Sequence, residues 1–186
     1  MAFIDIIEPE QATGTLKTIY EDLKEKRGKL ARIHKIQSLH PESIVAHMDL
    51  YMSIMFGKSP LSRAQREMLG VVVSAKNRCE YCQQHHGEAL NAYWKDETKV
   101  KQLSNDYKQL DLDETEHRLC QFAEKLTANP GTINEKSELQ PLREVGLDDR
   151  AILDAVLVIS YFNFVNRIVL GLGVETDEEE FKGYHY

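Results

Sequence analysis

The chain has 186 residues, 42% of them apolar and 28% charged, and a formal net charge of −7. One domain of this length buries a substantial core without disulfide staples, and the balance of apolar to charged residues is far from that of a disordered chain. The acidic charge argues against a nucleic-acid partner, whose binding needs clustered Lys and Arg.

The locally basic stretch 24–35 alternates its charges with Glu25 and apolar residues, so it reads as a solvated helix end followed by a loop. Neither a basic n-region nor a long apolar run opens the chain at Met1-Ala2-Phe3-Ile4-Asp5. Residues 152–174 come closest to a membrane span but are interrupted by Asp154, Asn163, Asn166 and Arg167. The expectation is one domain over residues 1–186, cytoplasmic, with no membrane or nucleic-acid partner. Three cysteines, two of them closely spaced, point to redox or metal chemistry in a reducing compartment rather than to a secreted scaffold.

Leu16, Ile19, Tyr20 and Leu23 at helical spacing predict an amphipathic helix over 15–27, with Gly28 as its stop. After an irregular stretch, Pro41 suits a first helical turn, and Ile44, Val45, Met48, Tyr51, Met52 and Met55 are expected to line one core-facing side up to Gly57. Ser62 and Gln65 have the form of a capping box for a helix to about Lys76. A turn at Asn77-Arg78 leads to a second helix from Cys79 to about Tyr93, predicting a helical hairpin over about 62–93.

A short helix follows over 97–103. Asp113 with Glu116 heads another, which stops near Pro130. Residues 137–145 form a shorter helix with Pro141 early in it, and Asp148 caps a long one towards Gly171. The acidic tail from about 175 to 186 reads as solvated. No strand is predicted, because the β-branched runs at Val71–Val73 and Val156–Ile159 sit inside longer helical patterns. The fold class is therefore all-α.

The chemistry concentrates between Glu67 and His86. On a helix, Cys79, Cys82 and His86 share one face, and the unpaired N–H groups of the first turn favour a thiolate there. Glu67 and His86 lie at about 13 and 10 Å from the turn by helical rise, at similar depth on neighbouring helices. A Glu67–His86–thiol proton relay becomes possible, with burial expected to raise the Glu67 pKa towards that of a general base. Tyr81 reads as a packing residue and His85 as an interface or substrate-side group; both are possible accessory residues. Cys120, between Leu119 and Phe122, reads as a small buried hydrophobe. Zinc bound by Cys79, Cys82 and a histidine is the competing chemistry, although no fourth ligand is evident.

The spacing of Glu67, Cys79, Cys82 and His86 resembles the signature of the alkylhydroperoxidase D branch of the carboxymuconolactone decarboxylase superfamily, and Cys79-Glu80-Tyr81-Cys82 with His85-His86 resembles its peroxidase-related enzymes. Residues 122–127, 161–167 and 171–174 extend the likeness over most of the chain. The resemblance implies an AhpD-like helical fold, a homodimer or a hexamer built from dimers, and no cofactor beyond a redox-active Cys79–Cys82 disulfide. It also implies reduction of a hydroperoxide, or electron transfer from a lipoyl-type dithiol donor to a peroxiredoxin, with His86 and Glu67 as the relay.

Tyr81 stands where the family's template enzyme has a second histidine. In the peroxidase version Cys82, next to His86, attacks the peroxide and Cys79 resolves the sulfenic acid, an order that can be reversed. A protein disulfide reductase uses the same pair. Outside enzymes, the alternatives are a redox-sensing oligomer and a zinc site.

Overall fold

The computed structural model describes residues 2–176, 180 and 181, and every regular element among them is helical. In chain order these are α1 (Gly14–Arg27), α2 (Arg32–Lys35), α3 (Pro41–Tyr51), α4 (Arg63–Lys76), α5 (Glu80–Trp94), α6 (Glu97–Asp106), α7 (Glu114–Ala128), α8 (Gln140–Glu144) and α9 (Asp149–Leu172). Single π turns lie at Met52–Phe56 and Glu135–Leu139, and 3₁₀ turns at Tyr107–Gln109 and Pro130–Thr132. The all-α expectation holds. Two compact units divide the chain, one over Ile54–Asn166 and the other made of Met1–Ser53 with Arg167–Tyr186.

In the second of these units, the stripe Leu16, Tyr20 and Leu23 of α1 packs with Ala12, Leu30 and Ile44, and Ile7, Ile19 and Met48 lie against that cluster. The Tyr20 hydroxyl donates to the Ile7 carbonyl at 3.0 Å, and the Ile7 N–H donates to Ser38 Oγ at 2.9 Å, which ties the amino-terminal segment to α1 and to the turn after α2. Gly28 ends α1 in the left-handed region at φ 76°, a conformation that costs glycine little.

The structure departs here from the sequence reading. Residues taken as irregular include α2, and the buried side of α3 is Ile44, His47 and Tyr51, while Val45 and Met52 are exposed. A π turn with its i→i+5 bonds re-phases the chain after Tyr51, so that Met55 is buried and Met52 is not. The tail is not uniformly solvated either. Glu180 is buried and accepts the Arg32 backbone N–H at 2.9 Å, with Lys29 within 3.9 Å, because a carboxylate paired with two cations can leave water. The rest of the expected tail, 177–179 and 182–186, lies outside the described residues.

In the unit over Ile54–Asn166, α4 is the central element. Every residue from Arg66 to Ser74 is buried, the pattern of a helix enclosed on all sides, and α5, α6 and α7 pack on it. Ser62 and Gln65 form the reciprocal capping box at its start, and Asp96, Asp113 and Asp148 accept N–H groups at the starts of α6, α7 and α9. With a mean hydropathy of 1.7 over its most apolar stretch, α9 is long and apolar enough to cross a membrane, despite the polar residues expected to disqualify it. Its Ala151, Ala155, Val158, Ile159 and Phe162 are buried within this unit.

Candidate dithiol site

The turn between α4 and α5 sets the position of the cysteines. Arg78 adopts the left-handed conformation at φ 58°, its N–H donates to the Ala75 carbonyl at 3.0 Å, and the Cys79 N–H donates to the Ser74 carbonyl at 2.8 Å. These two bonds are the Schellman closure of α4, with arginine where glycine is usual. Cys79 is thus the last residue of that closure and also the N-cap of α5, since its carbonyl accepts the Gln83 N–H at 3.0 Å. One residue serves both helices, so the thiol is held at a helix N-terminus.

Both cysteines are thiols rather than a disulfide, and both are buried, with Cys79 at 0% and Cys82 at 2% exposure. Their sulfurs lie 3.0 Å apart. At that distance one thiol stabilises the other's anion. The hydrogen bond from Cys82 outweighs burial and holds Cys79 below the ordinary thiol range, whereas the same bond followed by burial pushes Cys82 up, with a hydrogen bond from Asn166 acting against this.

Asn166 belongs to a network of neutral groups that clamps this turn. Its Nδ2 donates to Ser74 Oγ at 3.1 Å, and its Oδ1 accepts from Asn77 Nδ2 at 2.9 Å. Asn77 also donates to Asn163 Oδ1 at 3.0 Å, and Asn163 in turn donates to Thr127 Oγ1 and the Ile159 carbonyl. The asparagines that interrupt the apolar helix thus satisfy one another and the end of α4.

Near the other end of α4, Glu67 is fully buried and accepts from His86 Nδ1 at 2.6 Å through Oε2. Its Oε1 accepts from Arg63 Nε at 2.8 Å, one helical turn earlier. Burial alone would raise this carboxyl, but the charge and hydrogen bond of His86, and then those of Arg63, prevail and hold it below the usual carboxylate range. The expected upward shift is thus corrected to a downward one, by His86 first and by Arg63, which the sequence reading omitted, second. The Arg63 guanidinium also stacks on the Phe56 ring at 3.6 Å.

His86 meets the Phe162 ring edge-on at 4.4 Å between centroids. That ring fills the space left by Gly70, where an added Cβ would lie 2.6 Å from Phe162 Cζ. Gly70 and Phe162 therefore set the resting place of the imidazole. An isolated glycine inside a helical pattern was the available signal for this contact. For Arg63 the signal was its spacing four residues before Glu67, and for Asn166 it was a polar break in an apolar face.

Tyr81 is buried and packs on His85 with ring centroids 4.6 Å apart, which places both residues on α5 beside the pair. Cys120 is fully buried on α7, and burial followed by the charge of Glu116 pushes its thiol far up. Among the described residues, no three or more His, Cys, Asp or Glu side chains are grouped so as to hold a metal ion.

Residues 41–105 match the carboxymuconolactone decarboxylase family model. No curated protein matches the sequence at a significant level. An uncharacterized peroxidase-related protein from Silicibacter sp. TM1040 is 29% identical, with a TM-score of 0.82 over 97% of this chain and 91% of its own. A second, from Ralstonia eutropha JMP134 and described as an alkylhydroperoxidase AhpD core, is 23% identical with a TM-score of 0.86 over 97% and 94%. The debrominase Bmp8 shares the fold at 17% identity, with a TM-score of 0.77 over 94% and 92%. The segment that matches the family model carries Glu67, Cys79, Cys82 and His86, and over nearly the whole chain the fold is similar to that of AhpD-like, peroxidase-related proteins.

Proposed function

We propose that this protein is a thiol-dependent peroxidase in which Cys79 and Cys82 cycle between dithiol and disulfide. The observation that carries the reading is the 3.0 Å separation of two free sulfurs at a helix N-terminus, on the same helix as an imidazole bonded to a buried carboxylate. Peroxidase-related relatives of the same fold support it.

The cycle begins with attack of a thiolate on one peroxide oxygen. The O–O bond breaks, the sulfur takes the oxygen as a sulfenate, and the departing alkoxide or hydroxide takes a proton. We start the cycle at Cys79, the thiol that its bond to Cys82 holds lower, which is the second of the two orders that the sequence allows. The Cys82 thiol, its proton passed to His86, then attacks the Cys79 sulfenic sulfur, and the oxygen leaves as water with formation of the disulfide. An external dithiol, of lipoyl type on the family template, returns two electrons and two protons. Glu67 holds the His86 ring so that Nε2 carries the exchangeable proton. The assembly we propose is a homo-oligomer, located in the cytoplasm.

Purified protein supplied with hydroperoxide and dihydrolipoamide tests the reading. Steady consumption of peroxide is expected, lost in Cys79→Ser and in Cys82→Ser. Oxidation that stops after one equivalent would instead indicate a redox sensor. A sulfenic acid trapped in Cys82→Ser supports Cys79 as the attacking thiol; trapping only in Cys79→Ser would restore the opposite order.

A further inference from the structure

We infer that Arg63 is a positioning residue of the dithiol site: joined to Glu67 and stacked on Phe56, it keeps the carboxylate charged, so that His86 alone carries the mobile proton of the relay. This rests on the peroxidase reading above and narrows its proton path to one group.

The two carboxylate oxygens are divided between two partners. Oε1 takes Nε of Arg63 at 2.8 Å and Nη2 at 2.5 Å, and Oε2 takes Nδ1 of His86 at 2.6 Å. The Arg63 side chain is 12% exposed and that of Glu67 is 0%, so water screens this pair little. Stacking on Phe56 fixes the plane of the guanidinium, and a planar fork of donors meets a carboxylate in a defined orientation.

One further cation nearby reinforces the anion. Arg66, on the same helix, spends Nη1 on the Ile54 and Gly57 carbonyls and places a second cation in the field of Glu67. From the neighbouring helices, Asp154 of α9 and Tyr93 of α5 act on Arg66, and Asp154 is itself paired with Arg150 at 2.9 Å. Among the described residues, His86 of α5 joins Arg63 in bonding Glu67 through its side chain.

A carboxylate held this way is a poor proton carrier and a good orienter. With Oε2 accepting from Nδ1–H, the imidazole lone pair lies on Nε2, and protons arrive and depart there. Replacing the arginine by an uncharged side chain removes one of the two partners that offset desolvation of this buried carboxyl and leaves His86 to oppose it alone; a carboxyl that becomes neutral no longer fixes the tautomer.

The test is the pH dependence of dithiol alkylation by iodoacetamide, which needs neither peroxide nor donor and so stands apart from the peroxidase reading. In Arg63→Met the acid limb of the profile is expected to move up by about one pH unit or more, with about a tenfold slower reaction near neutrality. Arg63→Lys should recover part of both. A folded Arg63→Met with the wild-type profile overturns the proposal. Should that variant fail to fold, wild-type protein decides: the oxidised-minus-reduced infrared difference spectrum is expected to show no protonated-carboxyl band. Such a band, abolished in Glu67→Gln, would show Glu67 gaining and losing the proton and overturn the inference.

Discussion

Towards its N-terminus α4 holds Glu67 between the Arg63 guanidinium and the His86 ring, whereas at its C-terminus the chain turns through Arg78 and is clamped by the neutral side chains of Asn77, Asn163, Asn166 and Ser74. Both regions bury polar groups and satisfy them with short hydrogen bonds. The charged one fixes where a proton can sit, and the neutral one fixes where two sulfurs sit without adding a charge that would compete with the thiolate. Cys120 shows what burial does without such partners, because its thiol is pushed up rather than activated.

This contrast predicts unequal costs. Glu67→Ala leaves the Arg63 cation buried without its carboxylate and His86 without its orienter, and is expected to cost about 3–5 kcal/mol in denaturant unfolding. A Glu67→Gln variant as stable as wild type would mean that shape rather than charge matters there. The same carboxyl gives an acid signature. Its folded pKa lies below the unfolded value, so its contribution is complete above about pH 4.3 and is lost as pH falls through the folded value. Glu67→Gln should flatten the stability profile in that acid window.

Gly70→Ala comes next. The new Cβ collides with Phe162, and overpacking of about 1–3 kcal/mol is expected, together with slower thiol alkylation because Phe162 supports His86. A stability loss with unchanged alkylation would separate the ring from the chemistry. In the neutral clamp, Asn166→Ala leaves Ser74 and Asn77 each short of one partner, at about 1–3 kcal/mol. It also removes a donor from Cys82, so the second thiol ionisation, followed by absorbance of the thiolate, should move up.

The smallest effect has the opposite sign. Arg78→Gly relieves a left-handed residue at an exposed turn and should raise stability by about 1 kcal/mol without altering alkylation.

Much of this was legible in the residues. Period-3.6 patterns and capping residues located α4, α5, α7 and α9 to within a few positions, because local spacing and the cap chemistry of Ser62, Asp113 and Asp148 decide them. The pairing of Glu67 with His86 followed from counting helical rise on both sides of a two-residue turn. Arg63 escaped notice because i,i+4 ion pairs are common on solvated faces, and only burial gives this one consequence. The exposed Met52 and the buried Met55 depended on a π turn, which no periodicity signals in advance. The sense of the Glu67 shift went wrong for a related reason: desolvation can be read from an apolar setting, but the strength of the compensating bonds, to His86 first and then to Arg63, depends on their shared burial.

The most direct measurement is peptide mapping by mass spectrometry after one equivalent of hydroperoxide is added to the reduced protein. The account predicts a single Cys79–Cys82 disulfide, a loss of two hydrogens from that peptide, and an unmodified Cys120. Oxidation that falls on Cys120, or that leaves Cys79 and Cys82 as free thiols, would contradict it.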